Sequence, residues 1–275
     1  MEGCDGVLAA GSRRVREAAR LKLKKVRRQA GALLIEGARL VRDALYARAD
    51  VRTVFCTEQF LDSGPGRALR AACGGQVTVI AKPAAARLSD TQTPQGVFAV
   101  VGFGPVRLGE LAAAARPLVL VADRIADPGN LGSMIRSAAA LGASGVVVSG
   151  GSCDATNPKA VRATMGAIFR VPVVTGVDLQ DAASALARRG LQVVAAVPQG
   201  GRPPWELDLA RPAALLIGSE ADGLPQAAAA GADQRVTLPM QGGAESLNAA
   251  AAAAALLCEA VRQRAGAVDE SARRR

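Results

Sequence analysis

The chain has 275 residues, 50% of them apolar, enough to bury a sizeable core in one large or two smaller domains. Its 34 Lys+Arg against 24 Asp+Glu leave a formal charge of +10, which points to a polyanionic partner. Histidine is absent, and with it go Ser-His-Asp and Cys-His devices, His-ligated metals and the usual general base.

Met1 to Gly6 lacks the basic and apolar regions of a signal peptide. The longest apolar run, Ala249 to Cys258, falls short of the roughly 20 residues that span a bilayer. Cys4, Cys56, Cys73, Cys153 and Cys258 are scattered without a Cys-x-x-Cys pair and read as reduced cytosolic thiols, not disulfides or zinc ligands. A cytoplasmic protein with no membrane partner and no metal is expected.

In chain order, the first predicted element is a basic helix from Arg13 to Arg28, whose few apolar positions leave most cations facing water or phosphate. From it Arg20, Lys22, Lys24, Lys25, Arg27 and Arg28 are RNA-binding candidates, joined by Arg39 of the next helix; solvated charge is the competing reading. Short strands follow at Ala32–Glu36, Val51–Phe55, Val77–Ile80 and Val97–Val101, with helices at Ala38–Ala47, Gly66–Cys73 and Ala84–Leu88 between them. That alternation predicts an α/β domain over 1–104. The low-complexity stretch 105–116 is predicted to be a linker.

A second α/β domain is predicted over 117–265. Its strands are Leu118–Ala122, Gly145–Val148, Phe169–Val174, Leu191–Val197, Ala213–Ile217 and Arg235–Leu238. Its helices run to Leu141 and over Pro158–Ala167, Leu179–Arg189 and Ser246–Arg264, with a flexible tail at 266–275. Parallel strands with crossover helices gather loops at one sheet edge, where open α/β sheets bind ligands.

Neither a Gly-x-Gly-x-x-Gly fingerprint between first strand and helix nor a Walker loop is present. Three other loops stand out, each mixing glycine with polar residues. The first, Asp127-Pro-Gly-Asn-Leu-Gly, leads to Arg136, and its Asn130 is placed to cap the helix. The second, Ile217-Gly-Ser-Glu220, leaves a buried strand at Gly218, where a missing side chain permits close approach to backbone. The third, Leu238-Pro-Met240 with Glu245-Ser-Leu-Asn248, enters an alanine-rich helix, with Ser246 the expected cap and Asn248 the second choice. Separately, each is equally well a turn and a capped helix.

Together and in this order, these loops closely resemble the three motifs of the SpoU (TrmH) branch of the SPOUT RNA methyltransferases, over Leu118 to Arg264. The N-terminal domain, with Ile35-Glu-Gly-Ala-Arg-Leu-Val41 and Pro94-Gln-Gly-Val97, resembles the L30e-like RNA-binding domain common in that family. The resemblance implies a ribose 2′-O-methyltransferase that uses S-adenosylmethionine and works as a homodimer, with a C-terminal trefoil knot in its parallel α/β catalytic domain. It also implies that Leu216, Ile217, Gly218, Leu238, Met240, Ser246 and Leu247 hold the cofactor, largely through backbone groups.

By the same resemblance, Arg136 activates the hydroxyl, across the subunit interface, while Asn130, Glu220, Ser246 and Asn248 line the site. An arginine is a poor base because it is almost never deprotonated, so holding phosphate and stabilising a developing alkoxide suit Arg136 better. Ala249 and Ala250 stand where the family often continues Val-Ser, and Thr164-Met-Gly-Ala167 replaces commoner small residues. A separate RNA-binding domain favours ribosomal RNA, 23S above all, as substrate. A tRNA target, a catalytically silent RNA-binding module and a small-molecule α/β enzyme are the alternatives.

Overall fold

The computed structural model describes residues 6–242 and 246–273 and divides into two compact units, Met1–Gly104 with Thr156–Arg162, and Pro105–Ala155 with Ala163–Arg275. The second unit is therefore not the continuous 117–265 of the sequence reading. Its start also differs. Within 105–116, Leu108–Ala112 forms a 3-10 helix that buries Leu111 completely in the second unit's core, so the segment is not a free linker.

In the first unit the elements are α1 (Arg13–Arg20), α2 (Lys24–Ala30), β1 (Ala32–Glu36), α3 (Ala38–Tyr46), β2 (Val51–Cys56), α4 (Glu58–Leu61), α5 (Gly64–Ala72), β3 (Thr78–Val79), α6 (Lys82–Leu88) and β4 (Val97–Gly102). The predicted basic helix is two helices. α1 ends at Leu21, which turns inward, and the carbonyls of Leu21 and Lys22 left free there accept from Arg27 Nη1 at 3.1 and 2.7 Å. The sheet has order β1-β4-β2-β3, with β4 antiparallel to β1 and β2, and β3 parallel to β2. One face packs Phe55 and Phe98 under Val15, Ala84 and Leu88. Cys56, the next residue along β2 from Phe55, is also buried, and burial with Cys73 nearby pushes its thiol up to about 12.

The second unit contains β5 (Leu118–Ala122), α7 (Pro128–Ala140), β6 (Gly145–Ser149), most of the chain after α8 (Pro158–Ala163), β7 (Val173–Val177), α9 (Leu179–Ala187), β8 (Gln192–Ala196), β9 (Ala213–Ile217), α10 (Gln226–Ala230), β10 (Gln234–Val236) and α11 (Ala249–Arg273). All six strands are parallel, in order β10-β8-β9-β5-β6-β7. β5, β6 and β9 are buried along their whole length, as their unbroken apolar runs require of a sheet covered on both faces. β7 begins at Val173, not Phe169, because Ala167–Phe169 is a 3-10 turn and Pro172 offers no N–H to a ladder. α11 continues through Arg273, where a tail was predicted.

From β5 the chain moves outward through β6 and β7, then returns to build β8, β9 and β10 on the other side. The order reverses between β5 and β9, which is where an open parallel sheet leaves a crevice at its C-terminal edge. Among the described residues no helix is long and apolar enough to cross a membrane.

Candidate active site

The loops after β5 and β9 flank that crevice, and their side chains meet. α7 is capped by Asp127, whose Oδ1 accepts the Asn130 N–H at 2.9 Å, so Asn130 is not the cap predicted for it. Its side chain is thereby free to bridge. Asn130 Nδ2 donates to Glu220 Oε1 at 2.5 Å, and Asn130 Oδ1 accepts from Asn248 Nδ2 at 3.0 Å. Asn248 Oδ1 in turn accepts the N–H groups of Ala250 and Ala251 at 2.9 and 3.3 Å. Asn248, not Ser246, is thus the cap of α11. One asparagine ties all three motif loops together, using both ends of its amide.

Sequence reasoning missed the support beneath this network. Asp123, only 3% exposed, accepts from Ser149 Oγ at 2.6 Å and pairs with Arg124 Nε at 3.0 Å. Arg124 Nη2 donates to the Gly223 carbonyl at 2.8 Å, which holds the loop carrying Glu220. Arg124 also has φ of +52°, a left-handed conformation that costs a non-glycine residue energy and is tolerated where its surroundings fix it. The available signal was a charged pair directly after the apolar run Leu118–Ala122.

The cofactor candidates divide. Leu216 and Ile217 are buried in the sheet, and the Ile217 carbonyl is occupied by the Asp123 N–H at 2.8 Å. Gly218 does leave the sheet and is half-buried, and its missing side chain makes room for its own loop. A Cβ there would come within 2.2 Å of the Gly223 carbonyl carbon, because the loop folds back on itself with Gly223 N–H donating to Ser219 O. Leu238 and Met240 are half-buried, and Ser246 and Leu247 are exposed. Glu245 lies outside the described residues.

Arg136 is exposed, with no hydrogen bond or ion pair among the described residues. Six residues beyond Asn130 on α7, it points about 240° further round the helix, away from the Asn130 network.

The first unit's cations also divide. Arg27 is 6% exposed and spent on the end of α1, while Lys22 Nζ donates to Ser89 O at 2.5 Å and pairs with Asp90. These two serve the fold, because their donors are used internally. Arg20, Lys24, Lys25 and Arg28 are exposed, and Arg39 is exposed beside Asp43 at 4.0 Å.

The sequence model of the SpoU rRNA Methylase family matches residues 117–258. The chain belongs to that family. The model of the MRM3-like substrate binding domain matches residues 12–99, where the L30e-like domain was expected. Among SpoU relatives, the Bacillus subtilis (strain 168) 23S rRNA (guanosine(2553)-2'-O)-methyltransferase RlmP is 33% identical over 249 residues, covering 90% of this chain and 96% of that one. The Streptomyces viridochromogenes 23S rRNA (uridine(2479)-2'-O)-methyltransferase is 35% identical, covering 86% and 85%. The crystal structure of the SpoU methyltransferase AviRb from Streptomyces viridochromogenes, in complex with the cofactor AdoMet, superposes with a TM-score of 0.81 at 34% identity over 92% of this chain and 98% of that one. The α/β fold with its parallel sheet is thus the fold of the SpoU methyltransferases.

Proposed function

We propose that this SpoU-family chain transfers the methyl group of S-adenosylmethionine to a ribose 2′-hydroxyl of 23S ribosomal RNA, as a homodimer. One observation carries the reading: Asn130 joins Glu220 and Asn248 at the switch point of the sheet, so the three motif loops form a single polar cluster. The relatives named for 23S rRNA 2'-O-methylation span most of the chain, both units included, which favours ribosomal RNA over tRNA.

The residues present fit the cofactor. Leu247, next to Asn248 in the chain, is 42% exposed, and Leu238 and Met240 of the same motif are half-exposed, which offers apolar surface to an adenosine and a thioether chain. When bound, the cofactor supplies an electrophilic methyl on a cationic sulfur that leaves as a neutral thioether. The protein therefore has to hold and orient the ribose oxygen, and help its proton leave. Asn130, Glu220 and Asn248 position the loops around that oxygen. Arg136 holds the adjacent phosphate and stabilises the developing alkoxide while the proton passes to water. Its direction, away from its own Asn130, supports a site completed by the arginine of a second copy, and the trefoil knot belongs to the same family-based reading.

The test is incubation with methyl-labelled S-adenosylmethionine and, separately, unmodified ribosomal RNA and tRNA, followed by nucleoside mass spectrometry. A 2′-O-methylnucleoside in ribosomal RNA is expected, falling at least about 10²-fold in Arg136→Ala. Label confined to tRNA would replace the substrate, and cofactor binding without transfer to either RNA would contradict the catalytic reading. Mixing Arg136→Ala with an Asn130→Ala variant should restore part of the activity if the site is shared between copies.

A further inference from the structure

A groove of about 390 Å3 opens on the sheet face of the first unit, beside α1 and α2. Such a volume lies in the range of small-ligand sites, roughly 300–1,000 Å3. In register, Thr53 and Leu34 lie opposite Val100. Helices α1 and α6 cover the end of this face that carries Phe55 and Phe98, while Thr53 and Val100 stay half-exposed on the groove floor. Leu21 and Val26 form an apolar wall.

The rim is cationic apart from Glu17. Arg14 spends a donor on Thr78 Oγ1 at 3.0 Å, and Arg20 has no partner among the described residues. Arg52 is held by Asp50 at 2.9 Å and by the carbonyls of Ala30 and Gly31 at 3.1 and 3.2 Å. Those bonds use only part of its donor set and fix the plane of the guanidinium. Arg20 also borders a second hollow, of about 420 Å3, lined by Arg13, Arg16, Arg87 and Glu17, the last paired with Arg13 at 3.3 Å. A basic track therefore runs across α1 from one hollow to the other.

We propose that the groove takes one unstacked base of single-stranded RNA, with the flanking phosphates on Arg20 and along Arg16 and Arg87. The inference rests on the RNA-methyltransferase reading for its polyanion. A floor of Thr53 and Val100, an apolar wall and a guanidinium held in one plane suit a base face, and a base offers its face only when it is out of the stack, which excludes a continuous duplex. No phenylalanine among the described residues is exposed, so arginine planes are what the groove can offer for stacking. Arg52 and Arg87 lie outside the basic run that the sequence singles out.

The experiment uses the full chain and fluorescence anisotropy with a short labelled single-stranded RNA, the same sequence as a duplex, and poly-glutamate. The single strand should bind at least about tenfold more tightly than the duplex. Thr53→Trp, which fills the groove, should lose about tenfold for the single strand and nothing for the duplex, and Arg52→Lys, which keeps the charge but not the plane, should lose in the same direction. Arg20→Ala should flatten the salt slope by about 0.7. Melting curves identify any variant that fails to fold, and the other substitutions then decide. Equal binding of duplex or of poly-glutamate, or folded Thr53→Trp and Arg52→Lys variants that bind like the parent, would overturn the proposal. Calorimetry with S-adenosylmethionine separates the two readings: the groove variants should keep cofactor binding, whereas a parent protein that binds single-stranded RNA in the groove but not the cofactor would sink the methyltransferase reading alone.

Discussion

The two edges of the six-stranded sheet are built on opposite terms. At the C-terminal edge, Asn130, Glu220 and Asn248 hold one another through exposed side-chain bonds that water can replace. At the N-terminal edge, the half-buried Arg264 of α11 donates to the carbonyls of Leu209, Arg116, Pro117 and Arg211 at 2.7–3.2 Å, with no carboxylate among these partners. Burial, with Arg116 nearby, pulls its guanidinium below the usual range. One edge keeps its polar groups adjustable for a substrate, and the other commits them to fastening the last helix to the starts of β5 and β9.

The largest effect that would break this contrast is on stability. Arg264→Ala takes a donor from the carbonyls of Leu209, Arg116 and Arg211, of which water can reach the last two, and should cost about 2 kcal/mol, seen by calorimetry as a lowered melting transition. Lysine should recover little of it, because a single ammonium cannot span acceptors on both strand starts. A melting temperature unchanged in Arg264→Ala would mean that water satisfies that edge equally well.

Asn130→Ala should show the reverse pattern. Its bonds are exposed, so stability should change by about 1 kcal/mol or less, while kcat/KM for RNA falls about 10²-fold as the loops lose their common tie. Asn130→Asp, nearly the same in shape, should be no better, because it sets a carboxylate against Glu220. Steady-state kinetics alongside melting curves checks both, and an Asn130→Asp enzyme with parental kcat/KM would show that the bridge is incidental.

These same contrasts mark what the sequence made legible. β1, β5 and β9 fall on their predicted residues because an apolar run bounded by glycine, proline or a charged residue leaves a strand few alternatives. Asn130, Glu220 and Asn248 were named from motif order, and the structure brings them into contact. Their pairing was not legible, nor was the cap of α7, which is Asp127, while at α11 the cap is Asn248, the second choice in the sequence. On its Cβ side Gly218 makes room for Gly223, a contact five residues ahead in a loop whose path no local pattern encodes. Arg27 and Lys22 looked like their neighbours in a run of cations, and only the break in the helix made structural donors of them. Charge density reports that cations are present, not which of them the fold consumes.

The smallest effect sharpens the account of the N-terminal edge. Gln263 Oε1 accepts the Leu209 N–H at 2.7 Å, and its amide is oriented by donating to Glu259 Oε1 at 2.7 Å. Glu259 is held below the ordinary carboxylate range, chiefly by the Arg262 hydrogen bond, against the opposing pull of burial and with help from Gln263. A carboxylate whose folded value is depressed adds stability that is fully present above its unfolded value, about 4.3, and that is lost as the pH falls through the folded one. Glu259→Gln should therefore lower the melting temperature by about 2 °C or less at neutral pH, and the gap between variant and parent should close below about pH 4 as the parent's own carboxyl takes up a proton. A gap that stayed constant through the acid range would assign the effect to the shape of the amide pair rather than to the charge, leaving Arg264 as the principal clamp at that edge.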